Sequence, residues 1–387
     1  MKLNRILYLC SIMIWVLTGC QEAVEHKDVI LFTGTEISPV IRFSVDQPSS
    51  IGITVSATDK VAVDTKIQVA VTPELLEAYN SSNDRAYVFP PEGSYKLEVD
   101  ETIIKAGKNV SEAFCFSIVS LDNFKDGVKY CVPISITGTD GNMSILEPSK
   151  TVYIVINSPI VTRAMDLGGG TAFNVPKFLT DERVSALQAV TMEARVRMNA
   201  WYNGNPFIST VMGIEENYLL RFGDISLNRG DLLQMGPAKI GNDKVFVTTK
   251  TGFQLDTWYH IASVYNGSTV SIYINGKLDA SVAVKGGVVN MNDDYCDGFW
   301  IGRSAAYGRY LNGAVSEVRV WNRALSAGEL EDNACLVDPK SPGLLAYWRF
   351  NEMQEDGVTV RDETGNGFDA VRNGTTFSWI ENIKCPE

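Results

Sequence analysis

The sequence has 387 residues, of which 45% are hydrophobic and 21% are charged, with 32 Gly and 14 Pro to supply turns. This length exceeds that of one ordinary single-core domain and predicts two domains. The formal net charge is −12. This charge, without any basic run, argues against a nucleic-acid partner, because phosphate backbones are met by clustered Lys and Arg.

The first twenty residues have the pattern of a lipoprotein leader. A positively charged amino end precedes an apolar stretch, residues 6–18, which is too short to span a bilayer as a stable helix. The stretch leads into Leu-Thr-Gly-Cys, which resembles a bacterial lipobox in which Cys20 is acylated after cleavage. We therefore expect residues 1–19 to be a signal peptide and residues 20–28 to be a lipid-bearing tether. A plain signal peptide with a chance cysteine is the alternative.

The acidic segment after Cys20 resembles the short signal that directs Bacteroidetes lipoproteins to the outer face of the outer membrane. That resemblance predicts a surface-exposed protein held in the cell outer membrane by lipid. No other apolar run in the sequence approaches spanning length, so the lipid is the expected anchor. Export also places the chain in an oxidising compartment, where cysteines can pair.

Residues 29–158 are predicted to form a β-sandwich. About seven short strand-like runs are separated by polar turns, and one helix is predicted at residues 72–80, where Thr can cap and Pro suits the first turn. The helix, a Pro-Pro loop and a later Tyr-x-x-Pro-Ile strand follow in an order that resembles the Ig-like N-terminal domain of unknown function of Bacteroidetes surface lipoproteins. In that group the domain often precedes family-eighteen glycoside hydrolases or lectin-like modules.

Two cysteines of this first region, Cys115 and Cys131, are predicted to lie on the two arms of one hairpin around residues 121–127. Their positions centre the turn near Asn123, so they could lie directly opposite each other and form a disulfide. The alternative, that both are small buried apolar residues, stays equally open.

Residues 159–387 are predicted to form a second β domain. Residues 190–198 alternate strictly between apolar and polar side chains, and residues 258–279 contain three strands joined by two Asn-Gly turns. The segments Trp-Tyr-His-Ile-Ala and Tyr-Ile-Asn-Gly-Lys, with the glycine-rich opening at 165–175, resemble the laminin-G-like, concanavalin A-type jelly roll. The resemblance implies an all-β chain, an Ig-like sandwich followed by this jelly roll. Capping-box spacing predicts a short helix at 326–329.

Cys335 and Cys385 bracket the closing segment of the second domain. A bridge between them would tie that segment to the preceding strands and would stabilise the fold by roughly 3–5 kcal/mol under the loop-entropy model. We predict this bridge, and two unpaired thiols are the alternative.

The sequence offers little for catalysis. It has two histidines, His26 in the tether and His260 within a strand, where a framework role is expected. It lacks a Gly-x-Ser-x-Gly elbow, clustered zinc ligands and the carboxylate pattern of jelly-roll glucanases. The nearest acidic cluster, residues 352–356, is predicted to be a solvated turn. We therefore predict that the protein is not an enzyme.

Three loops carry the aromatic, amide and carboxylate groups that hold sugars. They lie at residues 201–206, 292–295 and 303–309. For each loop the alternative is a structural role in which the aromatic ring packs onto the sandwich. The candidate ligand-binding residues are Trp201, Tyr202, Asn203, Asn205, Asp293, Asp294, Tyr295, Arg303 and Tyr307.

A structural calcium ion is implied by the resemblance, since laminin-G-like jelly rolls often hold one. Hard oxygen ligands are available in Asp293, Asp294 and Asp297, and also in Asp362 and Asn366. Neither group has a diagnostic spacing, so the sequence identifies no metal ligand.

Together these observations favour non-catalytic capture of a glycan or glycoprotein at the cell surface, next to neighbouring glycan-uptake proteins. A protein-binding adhesin or assembly scaffold is the competing interpretation. A jelly-roll glycosidase or lyase is the third.

Overall fold

The computed structural model describes residues 28–140, 143–157, 160–304 and 308–385. These residues are almost entirely β-structure and form two groups of sheets. Within these ranges no helix has the length and apolar character needed to cross a membrane. The predicted signal peptide, the predicted lipidation site Cys20 and the candidate Tyr307 lie outside the described residues.

The first group of sheets, here the N-terminal sandwich, ends at Asn157. Its strands are β1 (Val29–Phe32), β2 (Val40–Ser44), β3 (Ser49–Ile53), β4 (Val55–Ala57), β5 (Thr65–Val71), β6 (Tyr95–Leu97), β7 (Glu101–Ile104), β8 (Phe114–Ile118), β9 (Tyr130–Thr139), β10 (Ser144–Ile145) and β11 (Thr151–Asn157). A five-stranded sheet runs β2-β11-β9-β5-β7, and two three-stranded sheets run β3-β8-β6 and β10-β1-β4. Alternate side chains of all three sheets fill one apolar core, in which Ile67 and Phe116 are fully buried. The predicted Ig-like sandwich is confirmed.

One α-helix, α1 (Leu75–Asn83), lies between β5 and β6. The prediction of a helix here is confirmed, but it begins three residues later than expected because Thr72 does not cap it. The Thr72 hydroxyl lies 2.8 Å from that of Ser135 instead. Leu76 of α1 packs with Cys131 and Val155 on the outer side of the five-stranded sheet.

The prediction of one hairpin carrying Cys115 and Cys131 is wrong. The strand of Cys115, β8, pairs with β3 and β6, whereas the strand of Cys131, β9, pairs with β11 and β5 in a different sheet. Both strands bury apolar residues in the same core from opposite layers, so the segment between them crosses from one layer to the other instead of turning back. The two thiols therefore do not form a disulfide.

The buried thiol of this pair should be chemically protected. Burial raises the pKa of the Cys131 thiol to about 12, and the thiolate is the reactive form. We expect iodoacetamide at pH 8 to modify the half-buried Cys115 and to leave Cys131 intact in the folded protein. Peptide mapping by mass spectrometry measures both sites in one sample, with urea-unfolded protein as the control in which both react. Equal modification rates in the folded protein would contradict the packing of α1 over Cys131.

The second group of sheets, here the C-terminal sandwich, begins at Ile160. Its strands are β12 (Ile160–Asp166), β13 (Ala172–Asn174), β14 (Val190–Met198), β15 (Ser209–Ile214), β16 (Tyr218–Asp224), β17 (Arg229–Ile240), β18 (Asp243–Thr248), β19 (Trp258–Tyr265), β20 (Thr269–Ile274), β21 (Lys277–Ala283), β22 (Trp300–Ile301), β23 (Gly313–Trp321), β24 (Leu344–Trp348), β25 (Thr359–Val360), β26 (Ala370–Asn373) and β27 (Ser378–Cys385), and its α-helix is α2 (Ala327–Asp332). Short 3₁₀ turns occupy Glu147–Ser149 in the first sandwich and Pro176–Leu179, Glu182–Val184 and Tyr295–Asp297 in the second.

Two large sheets pack face to face in the C-terminal sandwich. One runs β21-β20-β19-β14-β23-β12-β27, with β24 paired to β23, and the other runs β18-β17-β16-β15-β22-β13-β26-β25. Met192, Ala194 and Val196 of the alternating strand β14 point into the core between them. Glu193 and Arg195 consequently lie on the outer face of the first sheet.

The predicted three-strand meander is confirmed as β19, β20 and β21. Its second turn has the expected two-residue form, with φ of 50° at Asn275 and 75° at Gly276. Its first turn is wider, since the Asn266 N–H bonds the Thr269 carbonyl. There Gly267 has a φ of 93°, and the Asn266 side chain accepts the Thr269 N–H.

Two further predictions for the end of the chain are confirmed. Cys335 and Cys385 form a disulfide across 50 residues. Helix α2 opens with a capping box, in which the Ser326 hydroxyl accepts the Glu329 N–H and the Glu329 carboxylate accepts the Ser326 N–H. The bridge ties β27 to the segment that follows α2.

A buried charge cluster lies on the outer face of the β14 sheet. The Glu193 carboxylate accepts hydrogen bonds from His260 Nε2 at 2.9 Å, Arg319 Nη1 at 3.0 Å and Trp321 Nε1 at 2.9 Å. Although burial opposes the charged form, Arg319 and His260 lower the pKa of Glu193. Arg319 also donates to the Asn333 carbonyl, which fastens the segment after α2 to the sheet. The framework role expected of His260 is confirmed.

Helix α2 also joins the two sandwiches. Three ion pairs cross between them, Arg42–Glu331 at 2.7 Å, Arg85–Glu331 at 2.8 Å and Arg85–Asp332 at 3.0 Å. Beside them, Gly127 has a φ of 76° and approaches the backbone of the second sandwich so closely that a Cβ would lie 2.7 Å from the carbonyl carbon of Val337. We call these ion pairs and this backbone approach the inter-sandwich joint.

Candidate functional site

A row of polar side chains crosses the outer face of the β15–β18 sheet. The strand register places Thr210, Arg221, Gln234 and Thr248 beside one another on four successive strands. The apolar neighbours of Arg221 and Gln234 along each strand point into the core instead. Arg221 Nη2 donates to Gln234 Oε1 at 2.9 Å, and Gln234 Nε2 donates to Thr248 Oγ1 at 3.0 Å. The row is therefore a preorganised polar floor.

An aromatic ring and several loops enclose a cleft of about 760 Å³ over this floor, here called the outer cleft. Its size is within the range of roughly 300–1,000 Å³ that is typical of small-molecule sites. Phe246 on β18 lines the cleft and is 52% exposed. Its ring lies against Gly236, where a Cβ would come within 2.4 Å of a ring carbon. The missing side chain at Gly236 thus makes room for an exposed aromatic surface.

Two carboxylates of the outer cleft are held by arginines, and a third, the exposed Glu216, lies 3.1 Å from Lys244 Nζ. Arg221 forms an ion pair with Asp224, and Arg309 Nη1 lies 2.6 Å from Glu215 Oε1. Partial burial opposes ionisation of Asp224, but hydrogen bonds from Ser226 and the charge of Arg221 outweigh it and lower the pKa of this carboxyl. An ionised Asp224 accepts hydrogen bonds and has no proton to donate as a general acid. Glu215 Oε2 is buried without a hydrogen-bond partner among the described residues, which leaves one acceptor at the cleft wall.

The first predicted loop lies beside the outer cleft, but its residues have different roles. Asn205 lines the cleft. Tyr202, which is 37% exposed, and Asn203 lie at the loop surface. The ring of Trp201 is half-buried and lies 5.3 Å from that of Phe222 in the core. This packing is the structural alternative raised for Trp201, and ligand contact by these residues stays a prediction.

The second predicted loop does not line the outer cleft. Asp293 Oδ2 accepts a hydrogen bond from Asn217 Nδ2 at 3.1 Å, and Asp293 Oδ1 accepts the Tyr295 N–H. Asp294 is exposed, and the Tyr295 ring is 51% exposed. These residues form a separate surface whose role in binding stays a prediction.

The third predicted loop contributes to the outer cleft through Arg309, which was not among the candidate ligand-binding residues. The Arg303 guanidinium lies 3.9 Å from the centroid of the Trp300 ring and does not line the cleft. Arg309, at the end of the same loop, lines the cleft and binds Glu215. The sequence has an arginine at each end of this loop, but it does not show which of the two lies in the cleft.

Sequence reasoning missed the floor and the aromatic wall. Arg221 and Gln234 sit among apolar residues in strands, and this alternation is the signal that places them outside the core. Phe246 lies in a short strand between Val245 and Val247, and this apolar run predicts a core residue. Its exposure depends on the pairing of β17 and β18, which one strand alone does not reveal.

The described residues contain no cluster of three or more His, Cys, Asp or Glu side chains that could hold a metal ion. Asp362, one of the suggested calcium ligands, is 2% exposed. Its carboxylate accepts the backbone N–H groups of Tyr347, Thr364 and Phe368. Asp362 therefore shapes its own loop, and calcium binding stays a prediction.

Comparison with known families bears on the C-terminal sandwich. Residues 167–331 match the family model described as the concanavalin A-like lectin/glucanases superfamily. The C-terminal sandwich is a concanavalin A-type jelly roll. Residues 27–143 match a second family model, whose description is that of an N-terminal domain. All lining residues of the outer cleft lie between residues 205 and 309, so the cleft belongs to the jelly roll. No curated protein matches the sequence.

One solved structure is similar over nearly the whole chain, and two others match about half of it. A protein of Bacteroides ovatus, described as a candidate carbohydrate-binding protein, is 24% identical, with a TM-score of 0.55 over 90% of this chain and 97% of that chain. At this identity the likeness shows a common fold. A pentraxin of Limulus polyphemus is 12% identical over 57% of this chain and 95% of that chain, with a TM-score of 0.35. The sialyllactose-bound carbohydrate-binding module of a Ruminococcus gnavus sialidase is 16% identical over 46% and 97%, with a TM-score of 0.34.

Proposed function

We propose that this protein is a non-catalytic, cell-surface carbohydrate-binding protein and that the outer cleft of the jelly roll holds the glycan. The observation that carries the proposal is the exposed Phe246 ring beside the Arg221–Gln234 floor. A sugar ring presents C–H groups that pack on an aromatic face, and its hydroxyls pair with amide and guanidinium groups. The outer cleft combines both kinds of surface.

The charges in the cleft favour binding over hydrolysis. Glycoside hydrolysis needs one carboxylic acid that donates a proton and a second carboxylate at the scissile bond. Asp224 is paired with Arg221, Glu215 with Arg309 and Glu216 with Lys244, so each of the three carboxylates has a cationic partner. The family description names both lectins and glucanases, and the description of the Bacteroides ovatus protein agrees with a binding role.

The proposed location is the outer face of the outer membrane, with the lipid on Cys20. The lipobox and the acidic segment that follows it support this location. A glycan or glycoprotein captured there would be passed to neighbouring uptake proteins. Metabolic labelling with a palmitate analogue, lost in Cys20→Ala, tests the anchor separately from glycan binding.

We expect Phe246→Ala to weaken glycan binding about thirtyfold or more, because removing an aromatic hot-spot residue costs about 2 kcal/mol or more. Asn205→Ala, at the cleft edge, should have a smaller effect in the same direction. The measurement is a glycan array followed by affinity gel electrophoresis of the soluble chain that begins after Cys20. A parallel assay for reducing-end release should show no product.

Tyr295→Ala is the matched control, since Tyr295 is equally exposed but lies outside the outer cleft. It should bind like the parent protein. Loss of binding in Tyr295→Ala with full binding in Phe246→Ala would move the site to the second predicted loop. Retention on no glycan at all, or release of product, would overturn the proposed function.

A further inference from the structure

A second cavity lies on the opposite side of the jelly roll from the outer cleft. It has a volume of about 340 Å³ and opens on the outer face of the β14–β19 sheet. The side chains of Arg195 and His260 in its wall are each 4% exposed, whereas Trp258 is half-buried and Asn275 is exposed. We call it the rear cavity. The wall thus combines an aromatic ring, an amide and two nearly buried polar groups.

The strand pairing explains this wall. Arg195 on β14 lies directly opposite His260 on β19. Trp258 lies two residues before His260, so the two side chains share a face. The Arg195 guanidinium lies 5.1 Å from the centroid of the Trp258 ring. Asn275 is fixed beside them because its side-chain oxygen accepts the His260 N–H at 2.9 Å. The cavity is therefore built on paired strands rather than on a mobile loop.

His260 has one ring nitrogen in use and one without a partner. Its Nε2 lies 2.9 Å from Glu193 Oε2, and a carboxylate with a lowered pKa only accepts, so Nε2 carries the proton. The other ring nitrogen, Nδ1, is buried and has no hydrogen-bond partner among the described residues. A buried polar atom left unpaired is costly, which favours a hydrogen-bonding group from a bound molecule. A hydroxyl suits this position because it can both donate and accept.

The far wall belongs to the segment that the disulfide and the inter-sandwich joint hold in place. Ala334 and Cys385 line it, together with Glu331. Glu331 is engaged with Arg42 and Arg85 of the N-terminal sandwich. The rear cavity is thus closed on one side by residues that the rest of the fold already fixes.

We propose that the rear cavity is a second saccharide-binding site, with a sugar hydroxyl hydrogen-bonded to His260 Nδ1 and the sugar packing beside Trp258. The choice of ligand class rests on the proposed function, whereas the cavity and its unpaired acceptor do not. Because the two sites lie on outer faces of opposite sheets, the jelly roll would hold two glycan segments at once. A polymer long enough to reach both faces would then bind with a higher apparent affinity without any new contact.

Saturation-transfer-difference NMR with methyl glycosides of glucose, galactose, mannose and N-acetylglucosamine tests this proposal. We expect at least one glycoside to give a signal that persists in Phe246→Ala and falls at least about tenfold in affinity in Trp258→Ala. Ala334→Phe should have the same effect, because it fills the cavity without removing any of the proposed contacts. Both rear-cavity variants should keep Phe246-dependent binding, which shows that they fold.

The outcomes separate the two proposals. Signals that all depend on Phe246 and on neither Trp258 nor Ala334 would overturn the rear site and leave the outer cleft intact. Signals that depend only on Trp258 would support the rear site and overturn the outer cleft. The ¹⁵N resonance of His260 Nδ1 should shift on addition of the responding glycoside. An unmoved resonance would overturn the assigned role of His260.

Discussion

Glu193→Ala is expected to destabilise the jelly roll by about 2–4 kcal/mol, because it removes one of the two buried carboxylates that pair with Arg319, leaving Glu317 at 3.2 Å, and leaves buried N–H donors unpaired. Arg319 is fully buried and receives its closest carboxylate contact from Glu193, at 3.0 Å. Trp321 Nε1 and His260 Nε2 would lose their acceptor as well. Urea unfolding followed by tryptophan fluorescence measures the effect selectively. Apart from the leader, the tryptophans of the chain lie between residues 201 and 379.

Glu381→Ala is the matched control for this substitution. Glu381 also pairs with an arginine, Arg163, but at 3.7 Å and with 59% of its side chain exposed. Exposed pairs of this kind contribute about 0–1 kcal/mol. Equal effects of the two substitutions would show that the buried cluster is not needed to hold the sheet and the segment after α2 together.

The same carboxylate gives the jelly roll an acid-sensitive contribution to stability. The folded-state pKa of Glu193 is lowered from its ordinary value of 4.5. Its contribution is therefore complete above that value and is lost as the pH falls through the folded-state pKa. As the pH is lowered from 5, the unfolding free energy should decrease less in Glu193→Ala than in the parent protein. Urea unfolding followed by tryptophan fluorescence measures this decrease at each pH.

Replacing both cysteines of the Cys335–Cys385 bridge by serine is expected to cost about 3–5 kcal/mol of unfolding free energy. The bridge closes a segment of 50 residues, and closing a loop of this length removes chain entropy from the unfolded state. Reduction of the parent protein should reproduce the loss. Urea unfolding with the tryptophan signal is again the measurement.

Cys115→Ser provides the matched control, because Cys115 is a half-buried thiol of the N-terminal sandwich that forms no disulfide. Its effect on the tryptophan transition should be close to zero. A bridge-free variant as stable as the parent would mean that the ion pairs and Arg319 alone fix the segment after α2.

The fold was predictable where the pattern is local. The strict alternation of β14 and the Asn275-Gly276 turn each identify their structure from a few residues. The pairing of β8 was not predictable, because two strands next to each other in sequence can turn back or cross to the opposite layer. Cys115 and Cys131 lie on such strands. The choice depends on which layer needs each apolar face, and no short segment carries that information.

The site was predictable only at its edge. Asn205 belongs to a loop whose composition attracts attention, and it does line the outer cleft. The floor residues Arg221 and Gln234 became neighbours through the register of β16 with β17. These two residues form the floor through contacts between strands, which the sequence of one segment does not show. The composition of a loop, in contrast, can be read from residues that are adjacent in sequence. Trp201 shows the opposite error. The composition of its loop suggests ligand binding, but its ring packs near Phe222 of the core.

The backbone approach at Gly127 limits how the two sandwiches can move. There is no room there for a side chain, because a single methyl group would collide with Val337. The α2 side of the joint is held by side-chain charges, whose attraction salt screens. We therefore expect salt to loosen the α2 side of the joint before it affects the backbone contact at Gly127.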